Sequence, residues 1–200
     1  AHIAADRCYY QLGKKNVLVE AYRGERFGTR ETSITNSVPQ NLTGYWLKKG
    51  SDSEVSNVGY NNAFTNDYPC VLIRLADLYL MKAEAWNEYL AVPDEEHVYA
   101  PLNEVRRRAG IPDVKEAWKT YAKNPGKVAT KEGMREIIHR EWDIEFAFEG
   151  RRFWNLRRWL TAVDELNEEQ YGWNIVGRNA REFYNNFKEP VMVWAKRKFI

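Results

Sequence analysis

The sequence predicts a mainly α fold: helical hairpins, an irregular loop-rich N-terminal region and few short strands. Three observations predict it. Apolar residues recur at three and four between Val71 and Tyr89. Gly, Asn, Ser, Thr and Tyr crowd residues 1–68 without sustained periodicity. Gly110, Pro112 and Gly150 stand where helical runs have to stop. With 200 residues the chain can bury one substantial core, so a single domain over 1–200 is expected. Within it, 1–68 is the loop-rich segment, 69–112 a helical hairpin and 113–200 a helical region.

Short extended pieces are expected at Asn16–Tyr22 and Gly44–Lys48, and a loop over Ser51–Asp67, where Gly59 accompanies four asparagines. From Val71 to Tyr89 the stripe Leu72, Leu75, Ala76, Tyr79, Ala83 and Trp86 predicts a helix. Its small Ala76 and Ala83 admit a close neighbour. After a loop at Pro93 a second helix is expected over Pro101–Ala109, since proline suits a first turn. Gly110 fits the left-handed residue after it, and Pro112 blocks continuation. The pair is a hairpin of the kind that stacks in tetratricopeptide-like packing. Glu116–Ala122 reads as a short helix before the Asn124-Pro125-Gly126 turn. Thr130 is an N-cap with Glu132 in the first turn, and that helix is expected to run to Phe148 and end at Gly150. Further helix is expected over Arg152–Leu166 and Ala180–Phe187, then a strand at Val191–Trp194.

The densest chemistry lies in 141–159. Glu141, Glu145 and Glu149 fall four apart on one helix face, and four arginines with three large aromatics follow Gly150 within nine residues. Like charges in one column repel unless cations answer them. The arginines beyond Gly150 are the natural answer, which makes Arg140, Glu141, Glu145, Glu149, Arg152 and Arg157 a structural charge network. The alternative is an acid–base pair for glycoside hydrolysis. That chemistry needs carboxylates flanking a bond, and an acid with a raised pKa. Neighbours at i,i+4 point one way from one surface, so pairing is the stronger reading.

Charge is nearly balanced, Lys+Arg 30 against Asp+Glu 28, which gives little general attraction for nucleic acid or an anionic membrane. His2, His97 and His139 lack metal-ligand spacing, and neither a nucleophile elbow nor a phosphate-cradling glycine loop is present. No metal and no cofactor is expected, and no enzyme activity. Cys8 and Cys70 allow one bridge at most and give no lipid-attachment signal. The chain opens Ala1-His2-Ile3, as a processed or excised piece would.

Two segments carry a family resemblance. The first comprises Pro69, Ile73-Arg74-Leu75-Ala76-Asp77-Leu78-Tyr79-Leu80 and Ala83-Glu84-Ala85. Leu102-Asn103, Val105-Arg106 and Arg108-Ala109-Gly110 complete it. The second is Ile138, Arg140-Glu141 and Glu145-Phe146-Ala147-Phe148-Glu149-Gly150, continued by Arg152-Phe153-Trp154-Asn155-Leu156-Arg157-Arg158-Trp159. Together, in this order, they resemble the signatures of SusD/RagB-type nutrient-binding lipoproteins, and Gly44-Tyr45 is weakly similar. The resemblance covers most of 44–160. Such proteins are longer, so this chain corresponds to the C-terminal portion, and Lys115–Thr130 is longer than the usual connection. The resemblance implies a lipid-anchored protein of the outer membrane, at the cell surface, that captures glycans and passes them to a SusC-like TonB-dependent transporter. A structural lid for that transporter, with peptide or other cargo, is the second function it implies.

Sugar rings have apolar faces and hydroxyl edges, and flat side chains beside amides suit both. The irregular segment supplies Tyr45, Trp46, Tyr60, Phe64 and Tyr68 among asparagines. Tyr45, Trp46 and Tyr60 are the carbohydrate-binding candidates, joined by Trp173 beside Asn174 after the Gly172 turn. Some of these rings could instead plug the loop onto the helices.

Overall fold

A computed structural model describes residues 3–4, 9–12, 15–25, 27–28, 43–49, 71–169, 171–175, 177–184 and 191–192. Cys8, Cys70, His2, Tyr60, Phe64 and Tyr68 lie outside the described residues. The chain gathers into two compact units, one formed by residues 1–68 with 156–200 and the other by 69–155.

The 69–155 unit is helical. Helix α1 (Leu75–Tyr89) packs against both α2 (Ala100–Arg108) and α4 (Lys131–Glu145), while α3 (Val114–Tyr121) and a 3-10 turn (Pro125–Ala129) pack on each other. A wider π turn, Glu95–Tyr99, leads into α2. It comes just before Pro101, which has no N–H to give to the preceding turn. The interior is apolar, with Leu80, Val98, Leu102, Val114, Met134 and Ile138 fully enclosed. At the end of α2 the N–H of Ile111 reaches the Arg106 carbonyl and that of Gly110 the Arg107 carbonyl. Gly110 at φ +70 makes this closure without a Cβ penalty.

Two expected boundaries shift, each for a local reason. Helix α1 begins at Leu75, four residues later than the periodicity places it, because Arg74 holds extended backbone at φ −115 and ψ 158. The Asp77 carboxylate accepts the Arg74 N–H at 2.7 Å, capping the helix there. The buried positions are then Ala76, Asp77, Leu80, Ala83 and Asn87, while Leu72 and Leu75 are exposed. Helix α4 starts where expected, with the Thr130 hydroxyl accepting from Gly133 N–H at 3.1 Å. It ends at Glu145 instead of Phe148, and Phe148 itself takes a left-handed conformation at φ +65. Glu149 therefore belongs to the turn and not to the helix.

The predicted helix over 152–166 is two. Helix α5 (Arg151–Arg158) and α6 (Ala162–Leu166) are separated by Leu160 at φ +62. Thr161 N–H closes back on the Leu156 carbonyl at 3.0 Å, as glycine-ended helices do.

The other unit holds three antiparallel two-stranded pairings. Strand β1 (Ile3–Ala4) lies on β4 (Trp46–Leu47), β2 (Tyr9–Leu12) on β3 (Lys15–Leu18), and β5 (Tyr171–Gly172) on β6 (Val191–Met192). A short helix, α7, spans Ala180–Tyr184. The core is small and aromatic: Val19, Ala21, Phe27 and Phe183 are buried, with Tyr22, Trp46, Trp173, Ile175 and Tyr184 packed on them.

Candidate functional site

Glu141, Glu145 and Glu149 are all answered by arginines that precede them in the chain. Arg106 donates from Nη1 to Glu141, and from Nε to the Pro112 carbonyl at 2.8 Å. Arg74 donates to Glu149 through Nε and Nη2, both 2.9 Å, and through Nη1 to Glu145 at 2.6 Å. Its guanidinium lies 4.3 Å from the centre of the Phe146 ring. The second Glu145 oxygen takes Arg108. All three cations come from the first hairpin and its lead-in. The planar fork of arginine meets a carboxylate through two parallel bonds, so Arg74 ties the start of α1 to the end of α4.

The arginines past Gly150 do other work. Arg151 donates to the Leu72 carbonyl at 2.6 Å and lies 3.5 Å from Asp77, while Arg152 pairs with Asp143. Among the described residues Arg140, exposed on α4, makes no ion pair, and Arg157 is exposed on α5, beyond the end of this unit. The expected network is thus corrected at Arg140, and Arg152 is placed on Asp143. The reason is geometric: α1 packs on both α2 and α4, which brings Arg74, Arg106 and Arg108 within reach of the column.

Burial pushes the Glu141 carboxyl above its ordinary range, against the opposing pull of Arg106. For Arg74, desolvation lowers the pKa, but the bonds to Glu145 and Glu149 outweigh it and the net shift is upward. A raised carboxyl is one mark of an acid catalyst. Glu141, however, is 9% exposed and its oxygen is occupied by Arg106, which leaves no room for a sugar. The column acts as a fastening between helices.

The aromatic candidates meet in the other unit. Gly44, at φ +73, lets the chain turn where a Cβ would come within 2.8 Å of Phe183 and 3.0 Å of Trp173. Trp173 N–H donates to the Thr43 carbonyl at 3.1 Å, and the Tyr45 and Trp173 rings stand 6.1 Å apart at 48°. Trp173 stacks in turn on Phe183, 5.7 Å between centroids at 21°. Tyr45 is 40% exposed and forms the open edge of this pile. Trp46 faces the other way. Its indole N–H donates to the Phe27 carbonyl at 3.1 Å and its ring meets Phe27 edge-on, so its polar tip is spent inside.

The rings and cations that complete both groups were hard to pick out of the sequence. Phe27, Phe183 and Tyr184 carry no sequence pattern that sets them apart from the chain's other aromatics. Arg74, Arg106 and Arg108 did carry a signal, because three cations in one motif match three carboxylates in the other. Among the described residues no group of His, Cys, Asp and Glu is placed to hold a metal. His97 lies 2.7 Å from Asp94 and on the face of Trp86, and His139 is 3.9 Å from Glu84.

The model of the SusD family matches residues 1–198. The chain belongs to the SusD family. A SusD-like protein of Formosa agariphila is 28% identical over 157 residues, which is 78% of this chain and 28% of that relative. The crystal structure of a SusD-like protein from Bacteroides fragilis NCTC 9343 superposes with a TM-score of 0.61 at 28% identity, covering 88% of this chain and 30% of that one. This SusD-family chain therefore spans less than a third of the length of both relatives, and shares the helical fold.

Proposed function

We propose that this SusD-family chain contributes to non-catalytic capture of oligosaccharide at the cell surface, for uptake through a SusC-like TonB-dependent transporter in the outer membrane. The Tyr45–Trp173 pair is the observation that carries this reading. Two rings tilted at 48°, one of them open at the edge, offer the apolar faces on which a sugar stacks. Asn174, beside Trp173, donates to the Glu182 carbonyl at 3.4 Å, and its amide carries a second N–H and an oxygen for hydroxyl groups. Trp46 is the weaker candidate because its N–H is already used. The site is small and fixed to a packed aromatic core, so binding costs little reorganisation and affinity stays modest enough for release to a transporter. No helix among the described residues is long and apolar enough to cross a membrane, so attachment rests on the lipid anchor that the family reading implies.

Titration of the protein against a panel of neutral and acidic oligosaccharides, with peptides alongside, tests this. The expected result is saccharide binding in the micromolar to millimolar range, roughly −8 to −4 kcal/mol, with no shortened products. Binding of peptides alone would support the lid with peptide cargo instead.

A further inference from the structure

We propose that the cleft between α3 and the following 3-10 turn is a second saccharide site, selective for acidic sugars carrying a carboxylate or sulfate. The cleft measures about 580 Å³, within the roughly 300–1,000 Å³ usual for small-ligand sites. Trp118, Tyr121, Lys123, Asn124 and Lys127 line it, all within the 69–155 unit. Tyr121 is 78% exposed, so its ring does no packing work, and Trp118 is only half-buried beneath Lys127, whose ammonium lies 5.7 Å from the indole centre. Asn124 precedes the 3-10 turn, yet its side chain caps nothing. An open ring, a second ring lining the same cleft and an amide that caps no helix form the surface that a pyranose needs.

The charge decides which pyranose. Lysines recur at every fourth position, Lys115, Lys119, Lys123, Lys127 and Lys131, and Glu116 is the only carboxylate in that span. Lys115 pairs with Glu95, Lys127 with Glu136, and Lys131 donates to the Glu88 carbonyl. Among the described residues Lys119 and Lys123 make no ion pair. Lys123 sits on the cleft itself. A neutral sugar would leave its charge unused, whereas a carboxylate or sulfate on a stacked ring gives it a charge-assisted hydrogen bond.

The proposal takes its ligand class from the glycan reading but uses none of that site's residues. Its test is calorimetric titration with tetragalacturonate, a sulfated carrageenan tetrasaccharide and neutral maltotetraose. The wild type is compared with Lys123→Ala, Tyr121→Ala and Tyr45→Ala. An anionic probe should bind more tightly than maltotetraose, weaken with added salt, and lose about five- to tenfold in affinity with Lys123→Ala and with Tyr121→Ala. Tyr45→Ala should leave that binding unchanged. Anionic probes that bind no better than maltotetraose, or that ignore both cleft substitutions, overturn the second site while leaving the Tyr45 reading intact. Failure of every saccharide to bind overturns both. Association with anionic lipid vesicles in place of saccharides would assign the cleft to a membrane surface and likewise overturn the proposal.

Discussion

At the residue scale, Arg74 bears the most structure per side chain. It bridges Glu145 and Glu149, covers Phe146 and fixes the extended backbone from which α1 starts. Removing one partner of an enclosed ion pair strands the others, at about 3–5 kcal/mol when burial is complete. Its guanidinium is partly exposed, so Arg74→Ala should cost about 2–3 kcal/mol of unfolding free energy, measured by denaturant titration. Arg140→Ala, at an exposed position in the second signature, should stay within about 0.5 kcal/mol. Equal effects of the two substitutions would remove the fastening role. The pairing itself was only half legible. That carboxylates at 141, 145 and 149 need cations follows from spacing alone, but which cations answer depends on how α1, α2 and α4 pack, and periodicity does not report that.

At the scale of elements, the sequence identified α1, α2 and α4 because caps and breakers act locally. Thr130, Gly110 and Pro112 work through their own backbone neighbours, so their positions alone announce them. The phase of α1 was misread because Leu72 and Leu75 are apolar and match the helical period, while the buried face includes Asp77 and Asn87. Asp77 takes the local Arg74 N–H, and the Asn87 amide nitrogen donates to the distant Lys131 carbonyl at 3.0 Å. Hydrophobic patterning cannot anticipate a polar residue paid for by a distant partner. Thermal and denaturant unfolding check the corrected phase. Leu80→Ala, at a fully enclosed site, should cost about 2–5 kcal/mol, and Leu75→Ala less than about 0.5 kcal/mol. A larger loss at Leu75 than at Leu80 would restore the original stripe.

At the scale of the molecule, the conspicuous charges and the Tyr45–Trp173 pair fall in different units, while the proposed acidic-sugar cleft shares the unit of the charges. The carboxylates and their arginines lie in 69–155, whereas the Tyr45–Trp173 pair lies in the unit that joins residues 1–68 to 156–200. The motifs that mark the family are thus packing devices, and they stand out because ion pairs between helices demand particular side chains at fixed spacings. Tyr45 and Trp173 are more than a hundred residues apart, and the turn at Gly44 and the bond from Trp173 to Thr43 help bring them together. Tyr60, the remaining aromatic candidate, lies outside the described residues. The most direct test of non-catalytic glycan capture is calorimetric titration of the tightest-binding neutral oligosaccharide into the wild type and Tyr45→Ala, with chromatography of the sugar afterwards. The account predicts intact sugar throughout and affinity about tenfold weaker in Tyr45→Ala, the scale of one lost stacking contact, with unchanged melting. Unchanged affinity, or shortened sugar in the wild-type cell, would contradict it.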